Sequence, residues 1–223
     1  MSVGRDITSV VIGAQEDYKK LFYSEPKAAL VVPVTLGPGY GQVKMGTALA
    51  RNDSAAGNDG KLMPYDPSTI TGAEAYTPRA YLVQSSGATA STLYVTLNDS
   101  YKFIVGDDVY INDNTTTAEN LGAITAIDRT TYTHMAAITV TTATGNTSFT
   151  TARFAYIALE GYDTCVGILQ KSVDTGTGVN AKGAVAPMIL GNCVLYTGCL
   201  TNLDAAAKTD ISASTFGIYT YIK

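Results

Sequence analysis

The stretch YDTCVGILQKSVD, residues 162–174, places a cysteine at the start of a short apolar run. A cysteine acts as a nucleophile only when a nearby base or positive charge favours its thiolate. The sequence around Cys165 offers no such group, and burial in a strand would raise the pKa of the thiol. We therefore predict that Cys165 is a buried strand residue and not a catalytic one.

The other candidates for catalysis are weaker still. His134, in TYTHMAA, is the single histidine, and no serine lies in a GxSxG motif, so the signature of a Ser-His-Asp hydrolase is missing. The glycine-rich segment GPGYGQ lacks the lysine and the strand-to-helix context of a phosphate loop. We predict that the protein is not an enzyme and uses no cofactor.

Metal binding is also not favoured. One acidic and amide cluster could offer oxygen ligands to calcium, but it lacks the glycine of the D-x-[DN]-x-[DN]-G loop, so we interpret it as solvated turns. The cluster consists of Asp107, Asp108, Asn112, Asp113, Asn114 and Glu119. The three cysteines, Cys165, Cys193 and Cys199, show no CxxC spacing, so we expect buried thiols, and whether Cys193 and Cys199 ever pair stays open.

Charge and hydropathy exclude two further classes of function. The chain has 15 Lys and Arg against 19 Asp and Glu, with a net charge of -4 and no basic block, which argues against direct nucleic-acid binding. No apolar run approaches the roughly 20 residues that cross a bilayer, and the first residues lack the apolar core of a signal peptide. We expect a soluble protein that is made in the cytoplasm and binds no membrane.

The pattern of apolar residues predicts a mainly β fold with short helices only. Runs rich in Val, Ile, Tyr and Thr alternate with turns of small and polar residues, as in a protein of many short strands. Asp204 is placed to cap a brief helix, and the closing segment FGIYTYIK reads as a strand.

A change in the pattern of residue types along the chain predicts its domain organisation. We interpret residues 1–32 as an N-terminal arm, residues 33–79 plus 159–223 as a host domain, and residues 80–158 as an inserted domain. Five or six short strands fit in the insert, and its apolar side chains are numerous enough for a small β-barrel. These side chains are Ile124, Ile127, Ile138 and Val140.

Four segments, taken in order, resemble successive segments of the lambda-like head decoration proteins, the capsid cement proteins of tailed bacteriophages. They are YGQVKMGTALARNDSAAGNDGKLMPYDP, YDTCVGILQKSVD, GAVAPMILGNCVLY and DAAAKTDISASTFGIYTYI. The resemblance covers about half the chain and implies a β-tulip-like domain that follows an arm and closes with a brief helix and a strand. The block from about 68 to 160 lies where a compact family member passes almost directly from the YDP turn to the VGIL strand, which supports an insertion.

The resemblance also implies a function. Similar proteins form homotrimers that bind the major capsid protein of the expanded head shell, on the outer surface of the virion, and stabilise it against internal DNA pressure. An extended arm can add a strand to a sheet edge of the shell protein, so the N-terminal segment is the expected contact. The candidate contact residues are Val10, Val11, Ile12, Tyr18, Leu21 and Phe22. The alternative is that these residues pack on their own domain.

Two other classes of function remain open. The chain could be a different virion β protein, such as a tail-tube or fibre component. It could also be a carbohydrate-binding surface module, because 15 tyrosines offer aromatic rings on a β surface. In that case the partner would be a host-surface glycan bound by the insert.

Overall fold

The structure is a computed structural model. In the part of the chain that it describes, most of the regular secondary structure is β-strand. The described residues are 21–23, 29–51, 60–67, 78–113, 115, 118–145, 148–213 and 219–222. Among them no helix is long and apolar enough to span a bilayer.

Fifteen strands and one α-helix lie within the described residues. The strands are β1 (Leu30–Leu36), β2 (Gln42–Val43), β3 (Ala48–Arg51), β4 (Leu62–Pro64), β5 (Arg79–Tyr81), β6 (Thr92–Thr96), β7 (Asp108–Asn112), β8 (Glu119–Asp128), β9 (Met135–Val140), β10 (Tyr156–Leu159), β11 (Cys165–Leu169), β12 (Val173–Asp174), β13 (Ala184–Gly191), β14 (Cys193–Tyr196) and β15 (Tyr219–Ile222). The helix, α1, spans Ala205–Ala213.

The segments on either side of the predicted insert build a closed five-stranded barrel, in the order β1, β13, β11, β3, β4. β1 and β13 pair antiparallel along their whole length, and the ring closes where Leu36 of β1 meets Leu62 of β4. The barrel strands bury apolar side chains such as Leu49, Ile168 and Ile189. In a closed barrel the edges of the strands find their hydrogen-bond partners within the molecule, and this closure limits the pairing of such apolar strands with another chain.

Between β4 and β11 the chain forms a second, six-stranded sheet in the order β5, β10, β7, β8, β9, β6, which we call the inserted sheet. The sheet curls until its two edge strands meet at one bridge between Leu82 and Val95. Val83 N–H donates to Tyr94 O at 2.9 Å beside that bridge. Ile124 and Ile138 of this sheet are buried, and they belong to the same apolar cluster as the barrel residues Leu49 and Ile168.

The prediction of a mainly β chain that contains a barrel and only short helices is confirmed for the described residues. The closed barrel, however, belongs to the flanking segments, where β1 and β4 meet at the pair Leu36–Leu62, whereas the inserted segment forms a curled sheet whose edges meet at an isolated bridge. The alternation of apolar and polar residues predicts which face of each strand is buried, but it does not determine which two edge strands of a sheet meet.

Three strands cross the predicted segment boundaries. β1 begins at Leu30, so the last three residues of the segment interpreted as the arm, 30–32, belong to a barrel strand. β5 begins at Arg79 and β10 ends at Leu159, one residue outside each end of the segment 80–158.

The two ends of the described chain meet on β14. Phe22 forms an antiparallel bridge with Leu195 of β14, and β15 pairs with β14 in parallel on its other side. α1 connects β14 to β15, and Ala207 N–H donates to the Asp204 carboxylate at 2.8 Å. This hydrogen bond is the predicted helix cap, because it satisfies an amide of the first turn.

Candidate functional surfaces

The candidate arm residues divide into two groups. Val10, Val11, Ile12 and Tyr18 lie outside the described residues. Leu21 is fully buried and Phe22 almost fully buried in the core of their own chain. Tyr23 N–H donates to Val194 O at 2.9 Å, and the Tyr23 ring packs edge-on against Tyr196 at 5.5 Å between ring centres. Leu21 and Phe22 are therefore buried in their own chain, and Phe22 and Tyr23 pair with β14, which lies outside the barrel.

Cys165 lies where the sequence predicts it, as the first residue of β11, and it is buried. Its N–H donates to the Asp210 carboxylate at 3.0 Å, which ties the strand to α1. Burial raises the pKa of the Cys165 thiol to about 12, so the side chain stays protonated near neutral pH. His134 is exposed on the turn before β9, in the inserted sheet, whereas Cys165 lies in the barrel.

Thiol labelling at pH 8 should distinguish the three cysteines. We expect one residue, Cys199, to react in the folded protein, because it is partly exposed in a 3₁₀ turn. Cys165 and Cys193 should react only after denaturation, since both are buried and burial raises the pKa of Cys193 to about 11. Mass spectrometry of the labelled peptides measures this, and Cys199→Ala should remove the fast phase. Equally fast labelling of Cys165 in the native protein would reopen its assignment as a nucleophile.

The interpretation of the acidic and amide cluster as solvated turns is wrong for most of its members. Asp108 and Asn112 lie in β7, Glu119 lies in β8, and Asp107 and Asp113 are buried. The Asp107 carboxylate accepts a hydrogen bond from Ile104 N–H at 2.8 Å, and Asp107 is almost completely buried. Asp113 accepts a bond from Thr115 N–H at 2.8 Å, while Asn114 lies outside the described residues. Within the part of the chain that the structure describes, no three His, Cys, Asp or Glu side chains are grouped so that they could hold a metal ion.

An open cleft of about 340 Å³ lies where the inserted sheet joins the barrel. Its walls include Asp66, Tyr110, Asn120, Glu160 and Asp163. The Asn120 amide donates to the Glu160 carboxylate. Carboxylates and hydroxyls give the cleft the chemistry to accept hydrogen-bond donors.

Large apolar side chains are exposed at several separate positions, including some on the inserted sheet and some on the barrel, that could contact partners. On the inserted sheet, Tyr81, Val83 and Phe154 lie around the hydrogen bond from Leu82 N–H to Ala155 O. Phe154 is 66% exposed and adopts a left-handed backbone conformation with φ 56°, which is uncommon for an aromatic residue. On the barrel, Leu30 of β1 and Val185 of β13 are exposed.

Tyrosines on the inserted sheet mainly pack against other side chains. Tyr94 and Tyr132 form an edge-to-face pair at 5.6 Å, and Tyr110 and Tyr156 form another at 6.2 Å. The Arg129 guanidinium lies over the Tyr101 ring at 4.4 Å. Sugar rings stack on open aromatic faces, and these contacts cover part of the rings they join, whereas Tyr81 on the same sheet is 44% exposed. The carbohydrate-binding alternative stays a hypothesis.

Comparisons with protein-family models, with curated proteins and with solved structures found no match for this chain. The structure itself defines a mainly β protein with a closed five-stranded barrel and a curled inserted sheet. A more particular function is a proposal that depends on the residues and on how they are arranged.

Proposed function

We propose that this chain is a non-enzymatic decoration protein of a tailed-phage head, which binds the expanded shell as a homotrimer and stabilises it. One observation carries the proposal. The block 68–160 separates the first of the four segments that resemble the decoration family from the other three, yet together they contribute to one barrel and to two small sheets, β2–β12 and β14–β15. They supply, in order, β2 to β4, then β11 and β12, then β13 and β14, and finally α1 and β15.

The connections of the inserted sheet support the same proposal. Asp66 N–H, where the chain leaves the barrel, donates to Tyr162 O, where the chain returns, at 3.0 Å. A host fold tolerates an insertion best where its two connections lie side by side. The barrel would therefore be the family domain, and the inserted sheet an addition that faces outward from the shell.

The mechanism is thermodynamic and needs no reaction. A protein that binds only the expanded shell stabilises that state by mass action. The N-terminal segment would bind the major capsid protein by strand addition, with Val10, Val11 and Ile12 as the strand. Three such segments in a trimer would raise the effective affinity by about 10²- to 10⁴-fold, because the later contacts are intramolecular.

The direct test is co-sedimentation of the purified protein with matched expanded and unexpanded shells of the phage that encodes it. We expect saturable binding to the expanded shell, in multiples of three, and light scattering of the free protein should give the mass of a trimer. Unexpanded shells from the same preparation serve as the control. If neither shell binds and the protein forms rings or rods, a tail-tube or fibre component becomes the better interpretation.

A further inference from the structure

A buried ion pair ties the inserted sheet to the barrel. Asp66 follows β4, where the chain leaves the barrel, and Arg79 is the first residue of β5. Arg79 Nε lies 2.7 Å from the Asp66 carboxylate, and the two side chains are only 9% and 4% exposed. Arg79 also donates from Nη2 to Pro67 O at 2.9 Å. One side chain of the inserted sheet thus holds the segment through which the chain leaves the barrel.

Two tyrosines extend this cluster to the central strands of the inserted sheet. Tyr110 of β7 donates its hydroxyl to the Asp66 carboxylate at 2.8 Å. The Arg79 guanidinium lies over the ring of Tyr156, in β10, at 4.4 Å. Burial and the neighbouring Asp66 raise the pKa of Tyr110, so the hydroxyl keeps its proton and donates throughout the neutral range.

Separating the two sheets would disrupt this cluster. A buried ion pair adds little net stability, but removal of one partner leaves an uncompensated charge in a place of low polarity. Burial raises the pKa of Asp66 and Arg79 opposes that shift, so each charge is tolerated because the other is present. An opening that moves Arg79 away from Asp66 before water reaches both groups would leave a buried charge without its partner, so the cluster disfavours such a partial opening.

The barrel and the inserted segment also touch at the loop between β1 and β2, which contains Gly39. A Cβ atom at Gly39 would lie 2.8 Å from the backbone of Tyr101, so the two backbones touch. The φ of 92° at Gly39 also favours glycine. Lys102, next to Tyr101, donates from Nζ to the backbone oxygen of Arg79 at 2.9 Å, which connects this contact to the ion pair.

We propose that the cluster of Asp66, Arg79, Tyr110 and Tyr156 is a latch that makes the barrel and the inserted sheet open and unfold as one cooperative unit. An insert held only by its two connecting segments would open independently of its host. The inference does not depend on the proposed function.

Native-state hydrogen exchange at increasing denaturant, measured by mass spectrometry, tests the latch. In the unmodified chain, the slowest amides of β7 and β8 should exchange through the same opening as those of β11 and β13. In Arg79→Met, the amides of the inserted sheet should exchange through an earlier opening of their own. Tyr110→Phe, which removes only a hydroxyl, should speed their exchange at least about tenfold relative to the barrel, because a bond to a charged group is lost.

Arg153→Met is the matched control. Arg153 also lies in the inserted segment, and its side chain is 51% exposed. It pairs at 3.9 Å with the buried carboxylate of Asp113, which belongs to the same segment, so the variant removes a charge that does not connect to the barrel. This variant should leave the shared opening intact. Separate openings in the unmodified chain would overturn the proposal. Equal acceleration of both sheets in Arg79→Met and in Tyr110→Phe would also overturn it.

Discussion

A variant that lacks residues 1–20 is expected to form the same trimer as the full-length chain but to lose binding to the expanded shell. Under the proposed function these residues contain the strand that pairs with the capsid protein, including Val10, Val11 and Ile12. The deletion should leave the fold intact because it stops before Leu21 and Phe22, which belong to the core. Co-sedimentation measures the binding, and light scattering with circular dichroism measures the trimer and the fold.

Two variants separate the roles of the N-terminal residues. Extending the deletion through Tyr23 should lower the thermal midpoint strongly, because loss of a buried Leu or Phe side chain typically costs about 2 to 5 kcal/mol. Val11→Asp in the full-length chain should weaken shell binding without changing stability, since a charge disrupts an apolar strand contact. Val185→Asp, at an exposed position of the barrel, tests the competing surface. If the variant without residues 1–20 bound the shell normally and Val185→Asp did not, the contact would lie on the barrel.

Gly46→Ala is expected to destabilise the protein by about 3 kcal/mol, because it combines backbone strain with an overlap that the core cannot relieve. Gly46 has a φ of 85°, and its Cβ would overlap the backbone oxygen of Cys199. Its N–H donates to Leu169 O at 2.8 Å, and its carbonyl accepts a bond from Thr201 N–H at 3.0 Å, so neither side is free to move. Equilibrium unfolding in urea measures the loss as a lower midpoint.

Two other glycines are matched controls for this prediction. Gly60 has a φ of 74° but nothing within 4 Å of its Cβ position, so Gly60→Ala should show only the strain, about 1 kcal/mol. Gly198 has open space and no left-handed backbone, so Gly198→Ala should be close to neutral. If Gly46→Ala were as stable as Gly198→Ala, the backbones of Gly46 and Cys199 would not approach each other as closely as described.

Features that depend on a few neighbouring residues could be predicted from the sequence. Cys165 begins a buried strand, Asp204 caps a short helix, and the closing segment contains a strand. Six strands lie in the segment where five or six were expected. These features follow from periodicity, capping and burial, which act over one turn of helix or one strand.

The candidate contact residues and the buried charged residues were harder to predict, because their surroundings depend on residues that are distant in sequence. The apolar character of Leu21 and Phe22 is consistent both with an interface and with a core, and only their packing on β14 distinguishes the two. Asp107, expected in a solvated turn, is buried, and a hydrogen bond from a backbone N–H to its carboxylate offsets part of the cost. Asp66 and Arg79 gave no sequence signal of a pair, since no local periodicity relates the loop after β4 to the start of β5.

The sequence by itself determined the β character, the turns, the helix cap and the strand that contains Cys165, because each depends on side chains that are neighbours along the chain. Only the tertiary structure decided which edges close the barrel, that Leu36 meets Leu62, and that a charged cluster joins the inserted sheet to it. These outcomes depend on contacts between segments far apart in sequence. Such contacts form only when burial of the whole core offsets the entropy of bringing the segments together.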